Sequence, residues 1–167
     1  MYNEIIMKKV YLKDLDTIYG IILECAEWLK SKGVKQWNPP YPKNRFEKDI
    51  GKGSVYYFIS VKGVIGTVTL STKKPFYYPK TLWKSSSKTW YITKFAVPRK
   101  LKGKGIGKNL LTKIGNKAKA RKIKRLGLDI PEHNKKLRNY YSSSGFVQIK
   151  KDIFNNYVFL LMEKRIK

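Results

Sequence analysis

The sequence has one cysteine, few acidic residues and no long hydrophobic run, and each shortage excludes a class of protein. The single cysteine, Cys25, cannot form an internal disulfide framework, so we expect a reducing compartment, the cytoplasm. No stretch approaches the roughly 18–20 consecutive apolar residues of a membrane-spanning helix. The opening MYNEIIMKKV becomes charged too soon for a signal peptide. We therefore expect no membrane partner.

The shortage of acidic residues leaves the chain strongly basic. Its 37 lysines and arginines face only 11 acidic residues, which gives a formal net charge of +26 at pH 7. Few of the basic residues are arginines, the residue type that contacts phosphate and guanine in a bidentate manner, and the lysines are spread over the whole chain. This distribution favours a compositional bias over a dedicated nucleic-acid surface. The positive field attracts anionic ligands in either case.

Apolar residues are frequent enough for a packed core. They make up 42% of the 167 residues, which fit a single domain spanning 1–167. Hydrophobic periodicity predicts helices over 13–32, 43–51, 106–121 and 134–144. It predicts strands over 4–10, 89–97, 124–130, 145–151 and 157–164, and a hairpin over 54–71 that turns at Lys62-Gly63. The order β-α-α-β-β-β-α-β-α-β-β indicates a mixed α/β fold, in which 71–88 form a long loop of the kind that is often functional.

A glycine-rich stretch, VPRKLKGKGIGKNLL (97–111), separates a predicted strand from a predicted helix. It is not a nucleotide-binding P-loop, because Asn109 stands where that motif needs Ser or Thr. It is not a dinucleotide fingerprint either, because the sixth position counted from Gly103 or Gly105 is Lys108 or Leu110. Glycines at a strand-to-helix junction still let backbone N–H groups approach an anion closely. An ordinary turn is the alternative.

A second motif, EHNKKLRNYYSSSGF, follows the strand predicted over 124–130. Asn134 and Tyr141 are seven residues apart, so they share one face of the predicted helix, and Gly145-Phe146 comes next. Together with KFAVPRKLKGKGIGKNLL, these residues resemble the GNAT superfamily of N-acetyltransferases. The family's acyl-CoA motif R/Q-x-x-G-x-G/A is matched by 102–107, with Lys102 where the family usually has Arg or Gln. The motifs cover about residues 89–147, and the element order extends the resemblance to the whole chain.

The resemblance implies a fold, a cosubstrate and a binding site. The fold would be a central, mostly antiparallel twisted sheet of about six or seven strands flanked by about four helices. The cosubstrate would be acetyl-CoA, without a metal. Its pyrophosphate would lie on the glycine loop, and its pantetheine arm would pair with the strand before the loop. The residues implied in binding it are Phe95, Ala96, Val97, Lys102, Gly103, Lys104, Gly105, Ile106, Gly107, Lys108, Asn134 and Tyr141.

The resemblance also implies direct attack of an amine on the thioester. A backbone N–H of the strand would stabilise the oxyanion, and Tyr141 would protonate the departing thiolate. Tyr140 is its neighbour on another face of the helix. Asp129 matches the carboxylate base of some family members, while Glu132, His133 or an ordered water are alternatives for that role.

For two residues, a structural role is an alternative to a role in binding or catalysis. Asn134 would hydrogen-bond the CoA arm according to the resemblance, but asparagine is equally natural as a helix N-cap. Cys25 falls on the apolar face of the first predicted helix, so we expect a buried thiol rather than a nucleophile. Direct attack requires no covalent intermediate on the protein.

The acceptor is expected to be a primary amine of a small molecule or peptide. The low number of carboxylates argues against a polycationic acceptor such as an aminoglycoside and favours either a small amine that carries its own negative charge or a peptide. The modest acidic clusters, Glu24 with Glu27 and Glu47 with Asp49, are expected to be solvated helix-surface groups. Aromatic residues of the irregular segments would line an acceptor pocket, or would simply pack. They are Trp37, Tyr41 and Trp83, together with Phe76, Tyr77 and Tyr78.

Two other interpretations remain open. A basic nucleic-acid-binding module would use lysines on phosphates and aromatic rings on bases, but it leaves the ordered motifs at 102–107 and 134–146 unexplained. The second interpretation is a GNAT-like domain that binds CoA without catalysing a reaction. The sequence also leaves a homodimer open.

Overall fold

The structure, a computed structural model, describes residues 4–83 and 88–167. These residues form seven strands and four α-helices in the predicted order. The strands are β1 (Ile6–Lys9), β2 (Val55–Ser60), β3 (Gly63–Ser71), β4 (Thr89–Ala96), β5 (Arg125–Pro131), β6 (Val147–Phe154) and β7 (Tyr157–Arg165). The helices are α1 (Leu15–Ser31), α2 (Lys43–Gly51), α3 (Ile106–Ala120) and α4 (Lys135–Ser142).

The strand order of the sheet is β1-β2-β3-β4-β5-β7-β6. The pairs β1–β2, β2–β3, β5–β7 and β6–β7 are antiparallel, and β4–β5 is parallel. A parallel pair requires a crossover connection, which α3 supplies between β4 and β5. The predicted mixed α/β fold, with a mostly antiparallel sheet and about four helices, is confirmed for the described residues.

Element ends differ from the sequence predictions by a few residues. The β2–β3 hairpin turns at Val61-Lys62 and not at Lys62-Gly63, because Gly63 opens β3 with a φ of +91°. Two short 3-10 turns, Leu12–Asp14 and Arg99–Leu101, were not predicted. A three-residue turn is too short to show in a hydrophobic period.

The first helix ends at the glycine that predicts its end. Gly33 has a φ of +68°, and its N–H donates to the carbonyl of Lys30 at 2.9 Å. The N–H of Val34 donates to the carbonyl of Leu29 at 3.0 Å. This pair of bonds satisfies the last carbonyls of the helix and fixes where the irregular segment 34–42 begins.

The chain divides into two compact units. The first runs to Leu70 and includes Thr93–Leu110, and the second contains Ser71–Ile92 and Leu111–Lys167. The first unit buries the apolar stripe of α1 with residues of α2, including Ile18, Ile22 and Phe46. The second unit has an aromatic core formed by Tyr78, Trp83, Tyr91 and Phe159 with Leu161.

Candidate active site

The glycine loop connects β4 to α3 and belongs to the first unit. After the turn Arg99–Leu101, residues 102–105 are exposed and α3 begins at Ile106. Gly103 and Gly105 have φ values of +77° and +70°, and no atom lies within 4 Å of the position that either Cβ would take. The first N–H groups of a helix have no acceptor inside it. The loop therefore has the open space and the backbone form that an anionic group requires.

A stacked basic pair lies beside this loop, and the sequence did not reveal it. The guanidinium carbon of Arg99 lies 3.7 Å from the ring centroid of Trp28, and Nζ of Lys102 lies 5.0 Å from the same ring. The backbone N–H of Arg99 donates to Oε1 of Glu24 at 3.0 Å. Cation–π contact holds the side chain of Arg99 on the indole. No local motif connects Trp28 in α1 to the loop, so only the fold shows this contact.

The end of β4 is supported by the buried thiol. Sγ of Cys25 donates to the carbonyl oxygen of Val97 at 3.4 Å, and the cysteine is 8% exposed. Burial raises the pKa of Cys25 to about 11, so the thiolate is scarce at neutral pH. The prediction of a buried thiol is confirmed. Its contact is with the backbone of 95–97, the segment implied in pantetheine binding.

Strand β4 also contains a buried cation, Lys94. Its Nζ lies 3.3 Å from Oδ2 of Asp49 and 4.1 Å from the ring centroid of Tyr41, whose hydroxyl donates to Oδ2 of Asp49 at 3.2 Å. The side chains of Lys94 and Asp49 are only 11% and 18% exposed. Burial lowers the pKa of Lys94, and burial together with Asp49 raises the pKa of Tyr41 to about 12. The expectation that Asp49 is a solvated surface group is wrong, because it is the counter-charge of Lys94.

Asp129 lies in β5, within the second unit, and accepts hydrogen bonds from three phenols. Tyr77 and Tyr78 donate to Oδ1 at 2.8 and 2.6 Å, and Tyr157 donates to Oδ2 at 3.0 Å. Burial and the charge of Asp129 raise the pKa values of all three phenols. They therefore keep their protons at neutral pH. Asp129 is the carboxylate that accepts all three bonds, and its role as a base stays a prediction.

Asn134 caps α4. Its Oδ1 accepts the backbone N–H of Leu137 at 2.9 Å, which confirms the alternative use as an N-cap. The cap uses one lone pair of the side-chain oxygen, so the amide nitrogen and the second lone pair remain for a contact with CoA.

Tyr141 is held inside the second unit by aromatic packing. It is 8% exposed, and its ring centroid lies 5.5 Å from Phe146 and 5.1 Å from Tyr140. The backbone N–H of Phe146 donates to the carbonyl of Tyr141 at 3.1 Å. Burial raises the pKa of Tyr141, so the phenol is protonated at working pH. The Gly145-Phe146 motif therefore has a structural consequence, since Phe146 positions the ring of Tyr141.

The aromatic residues expected at the acceptor pocket have different environments. Trp37 and Tyr41 are partly buried against the core of the first unit. Trp83 is 7% exposed, and its Nε1 donates to Oε2 of Glu163 at 2.7 Å. Trp83 therefore packs in the interior of the second unit.

The predicted site residues fall into one group within each unit. The first unit contains 95–97 and 102–108 with Trp37 and Tyr41, and the second contains Asp129, Asn134, Tyr141 and Trp83. The sequence did not link Asp129 to Tyr157, which comes from β7. For Tyr77 and Tyr78 the sequence predicts only a place in the acceptor pocket, and not their bonds to Asp129.

Within 4–83 and 88–167, no three His, Cys, Asp or Glu side chains are placed to hold a metal ion. No helix in that part of the chain combines the length and the apolar composition needed to cross a membrane. The single histidine, His133, is exposed between β5 and α4.

Sequence comparison identifies related proteins. The model of the family described as "Acetyltransferase (GNAT) family" matches residues 22–146. The uncharacterized N-acetyltransferase YesJ of Bacillus subtilis is 25% identical over 139 residues, which cover 80% of this chain and 77% of that protein.

Structure comparison gives the same fold. A GNAT-family acetyltransferase from Listeria monocytogenes superposes with a TM-score of 0.80 at 22% identity, covering 96% of this chain and 94% of that one. The PaiA N-acetyltransferase of Thermoplasma acidophilum, in complex with coenzyme A, superposes with a TM-score of 0.72 at 18% identity, covering 97% of this chain and 99% of that one. Identities this low show a shared fold and leave the substrate to the site itself.

Proposed function

Because the chain belongs to the Acetyltransferase (GNAT) family, we propose that it transfers the acetyl group of acetyl-CoA to the primary amine of a small molecule or peptide. The observation that carries this proposal is the glycine loop before α3, where Gly103 and Gly105 adopt left-handed φ values beneath open space. The complex of the Thermoplasma acidophilum relative with coenzyme A supports CoA as the acetyl carrier.

The loop would bind CoA mainly through its backbone. N–H groups of 103–108, other than that of Lys104, which donates to the carbonyl of Leu101 at 3.4 Å, would face the pyrophosphate at the N-terminus of α3, where the helix dipole favours negative charge. The exposed side chains of Lys102, Lys104 and Lys108 would add positive charge. Arg99, fixed on Trp28, is a further cation at this loop. The backbone of 95–97 would pair with the pantetheine arm.

The amine must lose a proton before it attacks, because most of it is ammonium at neutral pH. Asp129 would take that proton, directly or through a water, and pass it to solvent. The neutral amine nitrogen then forms a bond to the acetyl carbon, and the thioester C=O becomes a tetrahedral oxyanion. A backbone N–H of 95–97 would stabilise that charge.

Collapse of the oxyanion breaks the C–S bond and releases the thiolate of CoA. Tyr141 would donate its phenol proton to the thiolate and regain one from solvent, while the new amide nitrogen loses its extra proton. The balance is one ammonium plus acetyl-CoA giving one acetamide, one CoA thiol and one proton. The amide nitrogen of Asn134 would hydrogen-bond the CoA arm.

Isothermal titration with acetyl-CoA tests the proposal. We expect micromolar binding in moderate salt, a loss of at least about tenfold in Gly105→Trp, and thiol release when an amine is added. Gly33→Trp is the matched control, because Gly33 has a φ of +68° and also has no atom within 4 Å of a Cβ. Failure to bind acetyl-CoA, together with oligonucleotide binding of steep salt dependence, would support the nucleic-acid interpretation instead.

A further inference from the structure

The phenols around Asp129 create a surface that offers only hydrogen-bond acceptors. Each phenol has a single proton, and Tyr77, Tyr78 and Tyr157 all donate theirs to the carboxylate. The lone pairs of the phenol oxygens remain, together with about one of the roughly four acceptor positions of the carboxylate. Tyr77 and Tyr157 are partly exposed, whereas Tyr78 is buried. Such an array matches a ligand rich in donors, as a primary ammonium is, and does not match a carboxylate or a phosphate.

Asp129 also lacks a basic partner in the described part of the chain. The ion pairs of residues 4–83 and 88–167 use other carboxylates, those of Asp16, Asp49, Glu132, Asp152 and Glu163. A partly buried carboxylate without a lysine, arginine or histidine nitrogen within 4.0 Å is unexpected in a chain of net charge +26. Charges removed from water are normally paired. Among the residues that the structure describes, Asp129 is therefore a carboxylate that phenols hydrogen-bond but no cation neutralises.

Apolar rings extend from this carboxylate to the surface. The ring of Tyr77 lies 5.6 Å from Phe76 and 5.9 Å from Phe154, and these two phenylalanines are 5.4 Å apart. Phe76 is 84% exposed and Phe154 is 36% exposed. The ring of Tyr157 stacks on Phe159 at 5.3 Å. Ring faces attract cations, and exposed phenylalanines next to them suit an apolar ligand body.

We propose that the acceptor is a singly charged primary amine on an apolar body, with an aromatic body preferred. Its ammonium binds Asp129 and the oxygens of Tyr77 and Tyr157, and its body lies against Phe76 and Phe154. The inference rests on the proposed function and names the substrate class of that enzyme. Asp129 then has two successive tasks, first as the counter-charge of the ammonium and next as the acceptor of its proton.

The groups around Asp129 favour a different acceptor amine from the one that the net charge of the chain favours. A carboxylate on the amine would meet Asp129 and the phenol lone pairs, since Tyr77, Tyr78 and Tyr157 already donate their protons to Asp129. A polyamine would bring further positive charges into the field of a chain with net charge +26. A single ammonium satisfies the acceptors and leaves no charge uncompensated.

A matched set of ligands tests the proposal on the full chain. 2-Phenylethylamine is compared with L-phenylalanine, which adds a carboxylate, with spermidine, which adds cations, and with ethylamine, which lacks the ring. Thiol release with acetyl-CoA gives kcat/KM, and titration in the presence of CoA gives binding without chemistry. We expect 2-phenylethylamine to exceed each of the others by at least about tenfold in kcat/KM.

Variants separate charge recognition from damage to the fold. The readout is the ratio of the Kd of neutral 2-phenylethanol to that of 2-phenylethylamine. We expect Asp129→Asn to reduce this ratio at least about tenfold, because the charge is lost while the shape stays. Tyr157→Phe, which removes one of the oxygens that would bind the ammonium, should reduce it less. Asp152→Asn is the control, because Asp152 is a carboxylate on β6 paired with Lys150 at 3.5 Å.

The outcomes separate the two proposals. If amines cause thiol release but spermidine, L-phenylalanine or a peptide ranks first, the substrate class is wrong and the acetyltransferase proposal stands. An unchanged ratio in Asp129→Asn also overturns the ammonium site. If no amine causes thiol release but 2-phenylethylamine binds in a manner that depends on Asp129, the acetyl-transfer proposal fails and the ammonium site stands.

Discussion

Gly127 of β5 lies against the indole of Trp83 with no room for a side chain between them. A Cβ at Gly127 would stand 2.9 Å from Cη2 and 3.1 Å from Cζ3 of Trp83. The indole is held in place, because its Nε1 donates to the buried carboxylate of Glu163, which pairs with Arg125 at 3.1 Å. Trp83 in turn packs on Tyr78, with ring centroids 6.0 Å apart, and Tyr78 donates to Oδ1 of Asp129 at 2.6 Å. Stability and the candidate site therefore depend on the same glycine.

Gly127→Ala should lower the free energy of unfolding by about 1–3 kcal/mol, because the new methyl group overlaps a ring that cannot turn away. Urea denaturation measures the change. Gly115→Ala in α3 is the matched control, since its Cβ would meet only Cδ1 of Ile166 at 4.0 Å. The control should gain about 0.5–1 kcal/mol from helix propensity. Equal stability of Gly127→Ala and the unmodified protein would show that Trp83 is free to move.

The effects of substituting Lys94 and Asp49 on the free energy of unfolding should not be additive. Removing either charge leaves the other in a site where the two side chains are only 11% and 18% exposed. We expect Lys94→Met and Asp49→Asn each to cost about 2–3 kcal/mol, somewhat less than for a fully buried pair. The double variant should cost less than the sum by about 1 kcal/mol or more. Strict additivity in urea denaturation would contradict a direct interaction.

The features that the sequence predicted well have local causes. The helix predicted over 43–51 is Lys43–Gly51 in the structure, because an apolar period and a preceding proline fix it within a few residues. The glycine loop and the cap at Asn134 were likewise visible, since turn and cap chemistry depends on neighbouring residues.

The contacts that could not be predicted from the sequence join residues that are far apart along the chain. Tyr157 reaches Asp129 because β7 pairs with β5, and no periodicity in either strand contains that register. Asp49 was misjudged for the same reason: its partner, Lys94, lies in β4. The composition gives only the number of carboxylates in the chain. Which carboxylate lacks a basic partner depends on burial and pairing in the folded structure.

Cys25 should resist alkylation in the folded protein. Burial raises its pKa to about 11 from an ordinary 9.0, so the neutral thiol favours the folded state fully below pH 9, and this contribution is lost as the pH rises through 11. At pH 8 we expect native Cys25 to react with iodoacetamide about 100-fold more slowly than the urea-unfolded chain. Cys25→Ala should retain turnover. Rapid native labelling that abolishes acetyl transfer would instead indicate a covalent role for the thiol.

Tyr141→Phe should lower kcat by about 100-fold or more, because the thiolate would leave without a proton donor. The Kd for CoA should change less than about threefold, since the ring still packs on Phe146. Tyr140→Phe is the control, because it removes the adjacent hydroxyl from the same helix and the two rings are 5.1 Å apart.

The alkaline side of the pH profile provides a second test of this role. Burial raises the pKa of Tyr141 above its ordinary value, so the proton-donating form persists as the pH rises towards 10. In the unmodified protein, kcat should therefore not fall through ionisation of this phenol between pH 8 and pH 10. If Tyr141→Phe and Tyr140→Phe have the same kcat, the hydroxyl of Tyr141 is not the acid, and the thiolate leaves unprotonated or is protonated by solvent.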